Sequence, residues 1–343
     1  MGASVSLSLV ARHPDWEVLA LDNLERRGSE LNVGRLRDAG VEFIQGDVRD
    51  PADLAAIGSI DALVECSAEP SALAGLDGDP TYLVHTNLLG AYNCAELARR
   101  NEAQLVFLST SRVYPYARLG SVAYEEAETR FELAPEQDIE GVSREGISER
   151  FPLAGARTLY GATKLAAEHL ITEYVESFGL RAVIDRCSVI AGPWQMGRVD
   201  QGVFAYWMLG HYFRWPLSYI GYGGSGKQVR DLLHVDDLVE LVEEQLLAPE
   251  RWKGVTVNVG GGRERSLSLL EATQICRELT GNEVEIGSVT EPRPGDVPIY
   301  LSDCELLYTQ TRWRPRRGAR EVLDDLFRWI SRHGESLCDT LSA

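Results

Sequence analysis

Val18-Leu19-Ala20-Leu21-Asp22 is a run of four apolar residues closed by an acid, and it decides the fold. A short apolar run ended by a charged residue suits a strand buried on both faces, whose carboxyl end reaches a crevice. Working outward, strand-like runs at 17–21, 41–45, 62–65, 104–109 and 181–185 alternate with helical patterns such as 82–100 and 158–178. That alternation predicts parallel strands joined by crossover helices, with helices on both faces of one sheet. Past residue 190 the pattern loosens. An aromatic and glycine-rich stretch covers 194–226, short strands are predicted at 217–220 and 255–259, and amphipathic helices at 238–247, preceded by Asp236, and at 321–332.

In a doubly wound α/β fold the acid at the end of the second strand binds the ribose of a dinucleotide, although an aspartate there also serves as a turn or helix cap. Counting back twenty residues from Asp22 lands on Gly2, and 2–12 reads as the first helix. The expected G-x-x-G-x-x-G is thus represented only by its last glycine. A mid-sheet strand and the first two glycines of the phosphate loop are expected to lie outside this sequence, through a misplaced start or a clipped chain. Loss of such a strand would leave two sheet edges unpaired.

The chain of 343 residues carries 34 Lys and Arg against 52 Asp and Glu, a net charge of −18. That balance opposes contact with a phosphate backbone and excludes nucleic acid as the expected partner. Anionic small ligands must meet local arginines instead. The six cysteines (Cys66, Cys94, Cys187, Cys276, Cys304, Cys338) form no C-x-x-C, and the six histidines form no H-E-x-x-H, so neither a disulfide framework nor a metal site is expected. No apolar run reaches the ~18 residues of a membrane span and no signal peptide is evident, which predicts a soluble, cytoplasmic protein.

Tyr160-Gly161-Ala162-Thr163-Lys164 follows the strand-like run Leu105-Val106-Phe107-Leu108 and its ending Ser109-Thr110-Ser111. A spacing of four on a helix sets phenol and ammonium on one face, where the cation favours the phenolate. A tyrosine base near neutrality needs a shift of about three units, or roughly 4 kcal/mol of preferential anion stabilisation. Thr110, at a strand's carboxyl end, would hold the substrate oxygen that the phenol deprotonates. The same Y-x-x-x-K also arises on any helix with a surface tyrosine and lysine.

Two rival motifs are weaker. Gly221 to Lys227 matches most of a P-loop, but Gln228 lacks the hydroxyl that binds magnesium, so the stretch is predicted to be a turn between strands. Gly260-Gly261-Gly262 lacks the later glycine of a dinucleotide fingerprint and reads as a loop. Arg230 and Arg293 are candidates for a diphosphate clamp, because guanidinium forks match phosphate oxygens. Phe204, Tyr206, Trp207, Tyr212 and Phe213 are expected to pack rather than stack on a base.

Taken in order, residues 21–24, 46–49, 86–90, 108–114, Tyr160 with Lys164, 230–237 and 293–296 resemble the extended short-chain dehydrogenase/reductases, specifically the NAD-dependent sugar-nucleotide epimerases and dehydratases. The resemblance covers nearly everything after Gly2. It implies a Rossmann-type doubly wound parallel sheet over 1–190 with a return segment near 228–259. It also implies a smaller carboxy-terminal substrate lobe from 191–227 and 260–343. It implies NAD, held by Gly2, by Asp22 and Asn23 at the adenosine ribose, by Arg26 near its phosphate, by Asp47 and Val48 at the adenine, and by Ala68, Ser109 and Ser188. NAD rather than NADP follows because Asp22 would repel a 2′-phosphate. Thr110, Tyr160 and Lys164 would be the catalytic triad, supported by Asn87. Ser111, Gln201, Arg230 and Arg293 would meet a CDP- or UDP-linked sugar.

Within the family, stretches 23–28, 126–131, 200–202 and 226–234 are most similar to enzymes that invert C2 of a CDP-deoxyhexose. A UDP-hexose 4-epimerase and a non-catalytic binding homologue are the alternatives. The family's dehydratases carry acids just after the catalytic threonine, where this chain has Ser111 and Arg112, so epimerisation is expected. Departures include Pro115 for a glycine, Glu65 for a usual histidine and Val189 for a common asparagine. A homodimer, or a dimer of dimers, through helices 82–100 and 158–178 is also implied.

Overall fold

The computed structural model describes residues 1–76, 78–198 and 201–341. The centre of the molecule is a four-stranded parallel sheet of β3 (Ala62–Glu65), β4 (Gln104–Thr110), β5 (Arg181–Cys187) and β9 (Val255–Val259), in the order β9-β5-β4-β3. All seven residues of β4 are buried, which explains its unbroken Leu105-Val106-Phe107-Leu108 core: a central parallel strand has no wet face. β1 (Leu19–Asp22) and β2 (Glu42–Gln45) form a separate parallel pair. Strand starts and ends depart from the sequence reading by only one or two residues.

The expected single sheet is interrupted. β1 and β3 are not hydrogen-bonded to each other, and a cavity of about 2450 Å³ separates them, lined by 18–22 on one side and 62–68 on the other. Val5 and Leu9 of helix α1 (Gly2–Arg12) and Leu108 also line it. The cavity continues at the carboxyl ends of the strands into a cleft bounded by Trp194, Gln201, Arg230 and Arg293.

After β5 the chain turns into a second strand group. β6 (Val189–Ala191) pairs parallel with β8 (Val229–His234), which also takes β10 (Ser266–Ser268) antiparallel and β12 (Ile299–Tyr300) parallel. β7 (Leu217–Ile220) pairs with β11 (Ile286–Val289). The glycine-rich 221–227 is the connection between β7 and β8, with Lys227 bonded to Glu126 at 2.8 Å, so the P-loop alternative has no helix to serve. Phe204 and Trp207 are buried in the apolar cluster that this group shares with Val322, Leu326 and Trp329.

The helices follow local signals. In α4 (Leu159–Phe178) the Thr158 side chain accepts the Gly161 N–H, and Gly179 closes the helix at φ 71, a conformation that suits glycine. α7 (Leu269–Thr280) begins with a complete capping box between Ser268 and Glu271. The helix expected at 82–100 is instead a short helix, a π-helical turn His85–Leu89 and α3 (Gly90–Arg100). There Asn87 turns inward to bond Glu69 and Thr163, a local break of the kind found at functional sites. α6 (Val235–Leu247) starts before Asp236, because His234 Nδ1 accepts the Asp236 N–H at 3.0 Å. The last helix, α8 (Ala319–Leu341), outruns the expected 321–332 at both ends because its apolar face continues to a buried Leu337.

Candidate active site

β4 delivers Thr110 to the cleft, and the first turn of α4 brings Tyr160 to it. Thr110 lies near enough to the Tyr160 phenol to lower its proton affinity, and its oxygen accepts the Arg112 N–H at 3.2 Å. Burial pushes the phenol up to about 12, Thr110 and the nearby Arg112 guanidinium work against that rise, and the Cys187 thiol and Glu65 add to it. Lys164 lies one turn further along α4, as the spacing predicts. Its Nζ sits 3.5 Å from the Glu65 carboxylate and 3.9 Å from the centre of the Phe107 ring. The buried Glu65 carboxylate is thus the charge partner that the fold gives Lys164.

The remaining neighbours hold these groups in place. Asn87 accepts the Glu69 N–H at 2.8 Å and donates to Thr163 Oγ1 at 3.3 Å, tying the π-helical turn to α4 beside Tyr160. The Ser109 hydroxyl is committed to Glu168, which also takes the Arg186 guanidinium at 2.7 Å. Arg186 in turn reaches the Tyr114 hydroxyl at 3.3 Å. This buried network locks β4, β5 and α4 together, with Glu168 raising the proton affinity of Arg186.

At the other end of the cavity, Asp22 Oδ1 accepts the Leu24 N–H at 2.8 Å. It therefore caps the turn after β1, and it also lines the cavity. Asn23 bonds Asp47 at 3.0 Å, and the Arg49 guanidinium holds the Asp47 carboxyl down to about 2. Val48 packs where a side chain on Gly90 would come within 2.7 Å of its methyl, which requires glycine there. Gly2 opens α1 next to Cys66, and Ala68 lies on the loop leaving β3.

The cleft side gathers Ser111, Gln201, Arg230 and Arg293. Arg230 pairs with Asp296 at 2.7 Å and bonds the Val297 carbonyl. Gln201 takes the Arg26 guanidinium, so two residues expected to meet different ligands are hydrogen-bonded to each other. Ser188 is turned to the buried Asp231. Asp200, part of the 200–202 signal, lies outside the described residues, as does the side chain of Cys338; the other five cysteines are free thiols. Among the described residues no cluster could hold a metal ion and no helix is long and apolar enough to cross a membrane.

Sequence reasoning missed two members of the site. Glu65 stood out only as a departure from a histidine, and nothing local announced that its carboxylate meets Lys164. Arg112, bonded to the Gly295 carbonyl at 2.9 Å, was read only as the absence of an acid. Its place in the field of Tyr160 becomes visible only when β4 and α4 are packed together.

Fold and site together define a doubly wound α/β protein whose cleft receives Thr110 from the carboxyl end of a parallel strand and Tyr160 from the helix that follows. The chain belongs to the NAD dependent epimerase/dehydratase family, whose model matches residues 1–260. It is 26% identical to CDP-paratose 2-epimerase of Salmonella typhi over 92% of each chain. It is 28% identical to dTDP-glucose 4,6-dehydratase of Mycobacterium tuberculosis, over 94% of this chain and 89% of that one. Among solved structures it is similar to the Thermus thermophilus UDP-glucose 4-epimerase in complex with NAD, with 25% identity, a TM-score of 0.75 and coverage of 96% and 95%.

The cofactor is NAD, and the residues present fit it at both ends. An exposed carboxylate, Asp22, ends β1 at one end of the cavity. Tyr160 and Thr110 stand at the other, joined to it by continuous open space.

Proposed function

We propose that the protein is a nucleotide-sugar epimerase that inverts one carbinol carbon by transient oxidation, most specifically C2 of a CDP-linked deoxyhexose. In this reading Thr110 holds a substrate hydroxyl and Tyr160 takes its proton, then returns it when the sugar has presented its other face. NAD, when bound, supplies the two-electron acceptor. Arg230 and Arg293 face the diphosphate, with Ser111 and Gln201 nearer the sugar. Asp22, Asn23, Asp47 and Val48 take the adenosine of the cofactor.

The observation that carries the reading is the pair Thr110–Tyr160 with Arg112, not an acid, two residues beyond the threonine. A carbon acid flanking the oxidised centre loses its proton only to a placed base, and elimination of water needs a placed acid as well. Redox at a single carbon needs a base for the hydroxyl proton, the role given to Tyr160, but none for a carbon-bound proton and no acid to expel water. The CDP-paratose 2-epimerase likeness supports C2 of a CDP-sugar. The likeness to the Thermus enzyme supports C4 of a UDP-hexose as the second reading.

A homodimer belongs to the same proposal, since Tyr92, Leu89 and Phe178 are large, exposed apolar residues on α3, the turn before it and α4.

The test uses the purified chain. Denaturation should release NAD, or added NAD should bind, and a panel of CDP- and UDP-sugars should show inversion without loss of water. Tyr160→Phe should abolish turnover. Absence of NAD binding, or net dehydration, contradicts the proposal, the first in favour of a non-catalytic binding protein.

A further inference from the structure

Glu65 is the last residue of β3 and its side chain is 3% exposed. Two carboxylate oxygens in such a place need partners, because a buried charge is costly unless it is paired. Oε1 receives the Ser67 hydroxyl. Oε2 has no hydrogen-bond donor and faces only the Lys164 ammonium, at 3.5 Å. Lys164 is equally enclosed, at 2% exposure, with the Phe107 ring against its other side. The two charges thus define each other's position inside the protein. Lys164 lies one helical turn from Tyr160, the residue whose ionisation the reaction needs.

Burial is the largest influence on the Tyr160 phenol. Arg112 and the Thr110 hydroxyl favour its anion, while Glu65 and the Cys187 thiol oppose it. The thiols that surround the pair, Cys66 and Cys94, and Cys187 itself are all pushed upward by burial, so they are neutral at ordinary pH. Glu65 is then a carboxylate that acts on the phenol, and it also pairs with the lysine that the helical spacing sets on the face of Tyr160.

We propose that Glu65 is a positioning residue of the active site: it holds the Lys164 ammonium against β3 and thereby sets how readily Tyr160 gives up its proton. This deepens the epimerase reading, on which the importance of Tyr160 rests. Burial is what chiefly keeps the phenol protonated, and the Glu65 carboxylate adds to that while it pairs with the lysine.

The test does not require turnover. The phenolate absorbance of Tyr160 is obtained as the difference between the protein and its Tyr160→Phe counterpart, in the wild-type and Glu65→Gln backgrounds. Near about pH 10, removal of the carboxylate should raise the ionised fraction of Tyr160 by about tenfold, the equivalent of a midpoint about one unit lower. The double variant Glu65→Gln/Lys164→Gln removes both charges together and should return the signal close to wild type. An unchanged or diminished phenolate signal in Glu65→Gln overturns the proposal, as does a double variant that still shows the full increase.

If the phenolate signal rises but the pH profile of epimerisation stays where it is, the positioning role stands and Tyr160 as the base falls. The two readings therefore fail separately.

Discussion

Asp185 offers a stability measurement whose size follows from the structure. It lies inside β5, fully buried, with Gln245 donating to Oδ1 at 2.9 Å and no partner on Oδ2. Burial pushes its carboxyl up to about 7 from an ordinary 3.8, and the Gln245 bond offsets only part of the rise. A folded-state value above the unfolded one means that the group favours folding below the unfolded value and loses that contribution as pH climbs through the folded value. Three units at 1.36 kcal/mol each make the loss about 4 kcal/mol between pH ~4 and ~8.

Asp185→Asn removes the titration while keeping an oxygen for Gln245. Urea unfolding of both proteins, followed by tryptophan fluorescence across that pH range, should show the variant gaining on wild type as pH rises. The difference should amount to about 4 kcal/mol, with the gain ending near pH ~7. Parallel stability curves for the two proteins would refute the reasoning, because the carboxyl would then titrate alike in both states.

Two other perturbations probe the two ends of the cavity. Asp22→Ala removes the carboxylate that ends β1, and fluorescence titration with both dinucleotides should show the preference for NAD over NADP narrowed by about tenfold; an unchanged ratio would detach Asp22 from the ribose. Glu168→Gln leaves the buried Arg186 guanidinium short of its charge partner and should cost about 3–5 kcal/mol in denaturant unfolding. A loss below about 1 kcal/mol would mean that Tyr114 and water satisfy the arginine.

Much of the fold was legible because each parallel strand is a short apolar run with a polar end, as in β1 and β4, and because caps such as Thr158 and Gly179 are local signals. The π-helical turn at His85–Leu89 was not legible. Its cause is the inward turn of Asn87 toward Glu69 and Thr163, a contact between segments remote in sequence. The division of the sheet is a property of edges that meet in space, so the alternation of strands shows that they run parallel but not that they form two sheets. In the site, Tyr160 and Thr110 come together as the spacing and strand ending imply. The pairing of Lys164 with Glu65 escaped notice because helical periodicity tells which face a side chain takes, not which charge waits on the strand opposite. Gln201 and Arg26 illustrate the same limit, since a resemblance places each by its expected ligand and says nothing of their bond to each other.

The central claim is redox at one carbon with Tyr160 as the base. Its most direct test is the fate of hydrogen at that carbon. CDP-paratose carrying deuterium at C2 is incubated with the NAD-loaded protein in ordinary water, and the product is examined by NMR. The account predicts an inverted C2 that retains its deuterium, because the same hydrogen leaves and returns within the closed site. Inversion with loss of deuterium to solvent would contradict it, since that is proton abstraction rather than oxidation.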